Sequence, residues 1–152
     1  MSVAVVDTNV VLVANGQHAD ISPECVKTCV LALQDIMRSG TLPKKGNRPG
    51  DAFVKWALNN RCNTKRVDQV PLLEHDERGF ESFPEDADLA NFDAPDRKFV
   101  AVSGAHPDKP SIAQAADSKW LDWAPALQRH GIEVNFLCLA DIQRFHENKF
   151  GA

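Results

Sequence analysis

The chain opens on an unbroken apolar run, Val3 to Val6, that stops at Asp7, Thr8 and Asn9. A largely β-branched run with no polar alternation suits a strand buried on both faces, so the pattern predicts an interior strand ending at Asp7. Val10 to Asn15 reads as a short helix closing near Gly16. Ser22 and Pro23 supply an N-cap and a first-turn proline, and Val26, Val30, Leu33, Ile36 and Met37 then recur at helical spacing up to a stop at Gly40. Residues 41–50, TLPKKGNRPG, read as a loop. A helix beginning at Asp51 gathers Phe53, Val54, Trp56, Ala57 and Leu58 on an apolar face.

The second half repeats the alternation. Val67 to Leu73 reads as a strand, and the acid-rich stretch from Glu74 to Asp93 as largely irregular, with one short helix. Pro95 fits the first position of a helix that carries Asp96 in its first turn and Phe99, Val100 and Val102 on its apolar face. Ile112 to Ala116 is a short strand ending at Asp117, followed by a helix with Trp120, Leu121, Ala124 and Leu127 that stops at Gly131. Ile132 to Leu139 is a last strand, and Ala140 to Lys149 closes as a helix. Such alternation predicts an α/β fold around a mainly parallel sheet of about four or five strands.

Composition changes this picture little. A chain of 152 residues suits a single domain, 1–152, and 43% hydrophobic with 25% charged residues is ordinary for a globular protein. No apolar run reaches the ~20 residues of a membrane span and no secretory pattern opens the chain, so no membrane role and a cytoplasmic location are expected. The four cysteines, Cys25, Cys29, Cys62 and Cys138, form no CxxC pair and read as reduced thiols, most of them packed as small apolar residues. A zinc site on Cys25 and Cys29 would need two further ligands, and the histidine spacing offers none. The net charge of −4 argues against a broadly basic nucleic-acid binder, but not against an acidic site that meets phosphate through a metal.

The placement of the acids carries the chemistry. Asp7 and Asp117 close strands while Glu24 and Asp96 open helices, so all four fall on one edge of a parallel sheet, where ligands bind. Carboxylates held together need a counter-charge, and a hard divalent cation such as Mg²⁺ or Mn²⁺ is the usual one. A cation so held can acidify a water and neutralise a phosphoryl oxygen, the chemistry of phosphodiester hydrolysis. Each residue has a plainer use. Asp7 and Thr8 suit a helix cap, Glu24 suits the positive end of a helix dipole, and the Lys44, Lys45 and Arg48 cluster reads more readily as a solvated loop than as a nucleic-acid contact.

VVDTNVVL followed by an acid-opened helix, then DRKFVAVS, then AADSKW before a tryptophan-rich helix, resembles the PIN-domain family over roughly residues 1 to 140. The resemblance implies a Rossmann-like α/β/α sandwich and a Mg²⁺- or Mn²⁺-dependent endoribonuclease, including the toxins of toxin–antitoxin systems. Carried over by position, Asp7, Asp96 and Asp117 match the family's metal-binding acids. Thr8 and Asn9 match positions that support the first acid, and Ser118 lies beside the last. The family usually places another acid, commonly Glu, in the segment that is 41–50 here, and this segment has no carboxylate. Glu24 or Asp51 is then left to complete the site, Glu24 being preferred.

Two functional classes follow. One is a nuclease in which Asp7, Asp96 and Asp117 bind the metal and Glu24 completes the acids, acting on single-stranded or structured RNA. The other is a degenerate fold of the same kind that binds RNA or protein without catalysis. An antitoxin-like partner or a homodimer is compatible with either. A phosphatase with an aspartate nucleophile stands further off, because such enzymes usually carry a second Asp two residues after the first, and position 9 is Asn.

Overall fold

A computed structural model of the chain describes residues 3–37 and 48–150. In chain order its elements are β1 (Ala4–Val6), α1 (Thr8–Ala14), α2 (Pro23–Met37), α3 (Pro49–Asn59), β2 (Glu74–His75), β3 (Gly79–Phe80), α4 (Arg97–Ala105), β4 (Ser111–Gln114), α5 (Lys119–Arg129), β5 (Val134–Phe136) and α6 (Leu139–Phe150). Two 3₁₀ turns, Ala87–Leu89 and Ala94–Asp96, precede α4. The expected loop at 41–50, with Lys44 and Lys45, lies outside the described residues up to position 47.

β1, β4 and β5 form a parallel sheet in the order β1-β4-β5, with Val5 opposite Ile112 and Ala113 opposite Asn135. Successive side chains of a strand point to opposite faces, and β4 shows this directly. Ala113 packs into a cluster with Val10, Val13, Cys25, Cys29 and Leu33, from α1 and α2. Its neighbour Ile112 packs into a second cluster with Phe92, Val100, Trp120, Trp123 and Leu127, from the α4 and α5 side. The sheet is therefore covered on both faces, and the chain is an α/β protein in an α/β/α arrangement.

Among the described residues the sheet has three strands, fewer than the roughly four or five expected, and β1 is one of its two edge strands. The expectation of an interior β1 is corrected. Ala4 is exposed, Val5 and Val6 are half-buried, and it is β4 that is flanked on both sides and buried over Ile112 to Gln114. A continuous apolar run reports that both faces of a strand are covered. It does not report whether both edges are paired, and β1 meets the first condition through its helices.

Val67 to Leu73, expected as a strand, forms none. Pro71 lacks a ladder donor, the Val67 amide turns back to the Asn63 carbonyl, and the Leu73 carbonyl instead accepts from Glu81 N at 2.8 Å. The short antiparallel pair β2–β3 follows directly, closed by Gly79 at φ 88°. The remaining helices and strands fall within a few residues of expectation. Gly16 and Gly131 sit at φ 72° and 77° after α1 and α5, where a left-handed residue ends a helix.

The helix starts show how local sequence and packing cooperate. Ser22 Oγ accepts from Cys25 N at 3.2 Å, as its capping role requires, and donates to Asp141 Oδ1 at 2.8 Å. α3 begins two residues before Asp51. Its N-cap Arg48 offers no side-chain bond. Asn15, at the end of α1, supplies the cap, its Oδ1 accepting from Gly50 N at 2.6 Å and Asp51 N at 3.2 Å. The Asp51 carboxylate in turn accepts from Asn15 Nδ2, so it is spent on this helix junction.

The cysteines also depart from expectation. Cys25 and Cys138 are joined in a disulfide, while buried Cys29 and exposed Cys62 are free. Sequence spacing did not reveal the pairing, because the two residues are 113 positions apart and meet only once α2 packs beside the start of α6.

Candidate functional site

The first acid stands where β1 ends. The Asp7 amide continues the ladder to the Ala113 carbonyl, and its carboxylate turns back as the N-cap of α1, Oδ1 accepting from Asn9 N at 2.8 Å. The other carboxylate oxygen accepts from Gln114 Nε2 at 2.7 Å, and Gln114 Oε1 accepts from Asp117 N at 3.2 Å. Gln114 is fully buried at the end of β4, and it links the first acid to the backbone of the last. Asn9 completes the frame, its Oδ1 accepting from Ala116 N at 2.7 Å. Thr8 is exposed at the first position of α1. The expected supporting role of Asn9 thus has a geometric basis. The capping use of Asp7 holds alongside it.

The later acids come from chain reversals. Pro95 shapes the 3₁₀ turn Ala94–Asp96, and Asp96 stands at the entry to α4 without a cap bond of its own. Asp117 lies three residues past β4, and its Oδ1 accepts from Lys119 N at the start of α5. Asp96, Asp117 and Asp93 each present a carboxylate oxygen within 4.8 Å of the others, all three half-buried. Asp7 is not in this tight group but lies within range of its charge. Its pKa is raised from 3.8 to about 6, first by burial and further by the charges of Asp96 and Asp117, against the hydrogen bonds of Asn9 and Gln114. The Asp96 carboxyl is also raised, by burial and then by Asp117 and Asp93, with Lys98 and Lys119 opposing.

The sequence pattern does not point to Asp93 or Gln114. Asp93 carries a faint signal, since residues three apart eclipse one another in a 3₁₀ turn and Asp93-Ala-Pro-Asp96 has that spacing. Gln114 carries none, because one glutamine on an apolar strand does not declare its partners. Lys119 is bonded to the cluster, its Nζ 3.0 Å from Asp93 Oδ2, and this bond with Asp93 raises its pKa. Ser118 is buried beside Asp117, with its Oγ free of hydrogen bonds. Glu24 is exposed in the first turn of α2 and joins no such group of acids among the described residues. Arg48 is exposed at the start of α3 and makes no side-chain cap bond there.

The donor set is one of hard oxygens, which suits Mg²⁺ or Mn²⁺ over softer metals. Asp93, Asp96 and Asp117 could hold the ion with Asp7 behind them, since their mutual repulsion and the raised Asp7 pKa would be relieved by a divalent charge.

A cavity of about 420 Å³ lies elsewhere, lined in part by Arg61, Cys62, Val67, Asp68 and His106. It is not a cysteine–histidine active site. His106 Nδ1 accepts from Asp108 N at 3.0 Å and Nε2 bonds Asp68 Oδ2 at 2.8 Å, so neither ring nitrogen is open to act as a base on Cys62.

Comparison with known proteins finds no matching family model, no matching curated protein and no matching solved structure. No helix of the described residues is long and apolar enough to cross a membrane.

Proposed function

We propose that the chain is a PIN-like, Mg²⁺- or Mn²⁺-dependent endoribonuclease. The observation that carries the reading is the convergence of Asp7, Asp117 and the Asp93–Asp96 turn, three separate segments, at the carboxyl ends of β1 and β4. We assign the fourth carboxylate to Asp93 in place of Glu24, since Asp93 stands in the cluster and Glu24 does not. When bound, the cation supplies a polarised water and charge neutralisation at a phosphoryl oxygen. Asp93, Asp96 and Asp117 hold the ion. Asp7 adds a buried carboxylate whose raised pKa a cation would lower, and Gln114 and Asn9 keep it in place. RNA is the proposed substrate. Arg48, with Lys44 and Lys45 outside the described residues, is the proposed contact for its backbone.

A protein partner, whether an antitoxin-like chain or a second copy, fits the exposed Leu12, Leu31, Val54 and Leu58 on α1, α2 and α3. The Cys25–Cys138 disulfide weighs against the expected cytoplasmic location, since disulfides are rare in reducing compartments.

The second reading, an RNA-binding module without catalysis, is favoured by one contact. Lys119 already sets an amine against Asp93, where a metal would otherwise provide the charge. One assay separates the two. A mixed single-stranded RNA pool is incubated with the protein and Mn²⁺, with EDTA and the Asp7→Asn, Asp96→Asn and Asp117→Asn variants as controls. A nuclease gives cleavage that EDTA and each variant abolish. RNA retained but uncut under every metal condition selects the binding module, and equal cleavage by wild type and Asp7→Asn exposes a contaminant.

A further inference from the structure

Three cysteines meet in the core beneath α1. Cys25 and Cys29 are one turn apart on α2, hence on one face, and Cys138 faces them from the residue before α6. Their sulfur atoms lie within 4.8 Å of one another, and all three residues are at most 5% exposed. Cys25 and Cys138 are bonded, and the free Cys29 Sγ is 3.8 Å from Cys138 Sγ, in van der Waals contact with one end of the disulfide. The packing around the set is apolar, from Val10, Val13, Ala14 and Leu33. Two of the three sulfurs are bonded to each other and no fourth ligand joins them among the described residues, so the set does not suit a tetrahedral metal. It suits exchange between sulfurs.

We infer that Cys25, Cys29 and Cys138 form a thiol–disulfide exchange site in which Cys138 carries the bond to either Cys25 or Cys29. The step balances within the chain. Cys29, as thiolate, attacks Cys138 Sγ, and the Cys29–Cys138 bond forms as the Cys25–Cys138 bond breaks. The electron pair leaves on Cys25 Sγ, which takes up a proton in place of the one Cys29 gave up, so no outside oxidant or reductant is consumed. Burial keeps external thiols from the three sulfurs and leaves the internal partner as the accessible one. Passing the bond to Cys29 moves the tether of α6 by one turn, about 6 Å, along α2. The clamp between Ser22 and Asp141 holds the same junction independently, so the helices stay in register while the bond moves. Burial, with the charge of Asp141, pushes the Cys29 thiol up to about 12, which makes exchange slow at neutral pH and makes the equilibrium distribution the proper readout.

The test uses the full chain in a Cys62→Ser background, alone and with Cys25→Ser or Cys29→Ser. Each protein is refolded from denaturant in a glutathione redox buffer, so that the sulfurs meet the buffer before they are buried, then equilibrated in the folded state, quenched in acid, alkylated in denaturant, digested and mapped by mass spectrometry. The expected result is a Cys29–Cys138 disulfide in the Cys25→Ser protein, only Cys25–Cys138 in the Cys29→Ser protein, and both species where all three cysteines are present. The parent needs no core substitution, so it decides the matter even if a variant fails to fold. A Cys29–Cys138 fraction below about 1% in the equilibrated parent overturns the inference, as does a folded Cys25→Ser protein that leaves Cys29 and Cys138 fully alkylatable. An oxidised parent that forms no disulfide among the three overturns it as well.

Discussion

The Asp7 carboxylate accepts one hydrogen bond from its own helix and one from Gln114, and both favour its ionised form. Burial outweighs them, and the neighbouring Asp96 and Asp117 charges add to it, leaving a pKa of about 6 against 3.8. Its titration therefore works against the fold at neutral pH. Between about pH 4 and pH 6 the native state binds more protons than the unfolded chain, so stability falls as pH rises, by up to about 3 kcal/mol once Asp7 is ionised. Urea unfolding across pH 4 to 7 should show this decline in wild type and a shallower one in Asp7→Asn, where the raised Asp96 still titrates. The variant should equal or exceed wild type in stability at pH 7 while losing any metal response, a stability gain coupled to lost function. Lys119 allows a second test. Its bond to Asp93 joins half-exposed groups and contributes under about 1 kcal/mol. Lys119→Met should thus barely change unfolding, yet strengthen Mn²⁺ binding severalfold in calorimetry, because a competing cation is gone. Unchanged or weaker Mn²⁺ binding would show that the amine does not compete for the cluster.

Among the elements, α3 is held by its first turn. Gly50 is the buried residue of this helix, and a Cβ there would press on the Val11 carbonyl and on the Asn15 side chain that caps the helix. Alanine in a helix interior is normally favoured over glycine by about 1 kcal/mol. Here the neighbour is backbone and cannot turn away, so Gly50→Ala should destabilise by about 1–3 kcal/mol, read as a lower urea midpoint. A variant as stable as wild type would mean that α1 and α3 are not in such close contact. The same junction accounts for a helix start two residues before Asp51. Asp51 looks like a helix opener in sequence, but the cap comes from Asn15, 36 positions earlier. The run at Val67 to Leu73 departs from its sequence pattern for a related reason. Its composition suits a strand, and it found no partner to complete a ladder.

For the molecule as a whole, the acids sit at the carboxyl edge of a sheet whose two faces are filled by separate cores. Ligand binding there should stabilise the entire fold. Mn²⁺ at about 100 times its Kd should add about 2.7 kcal/mol, raising the melting temperature by roughly 5–10 °C for a chain of this size. Asp96→Asn and Asp117→Asn should lose that rise, and Glu24→Gln should keep it. A rise of equal size in all variants would place the ion elsewhere on this acidic chain.

What the sequence determined by itself was periodicity and punctuation. Helical spacing in α2, the proline and serine at its start, the glycines after α1 and α5, and the apolar β1 and β4 are local signals, and each marks an element that formed. The alternation of those elements was enough for the α/β class, while placement at element ends marked Asp7, Glu24, Asp96 and Asp117 alike and did not tell them apart. Tertiary structure alone decided which edges paired, and so that β4 and not β1 is the flanked strand. It decided that Asp93 and not Glu24 stands with Asp96 and Asp117, that Gln114 links Asp7 to Asp117, and that Cys138 reaches Cys25 across 113 residues. The physical reason is common to all four. Strand pairing, shared charge and sulfur bonding depend on distances between segments remote in sequence, and spacing along the chain carries no measure of those distances until the helices have packed against the sheet.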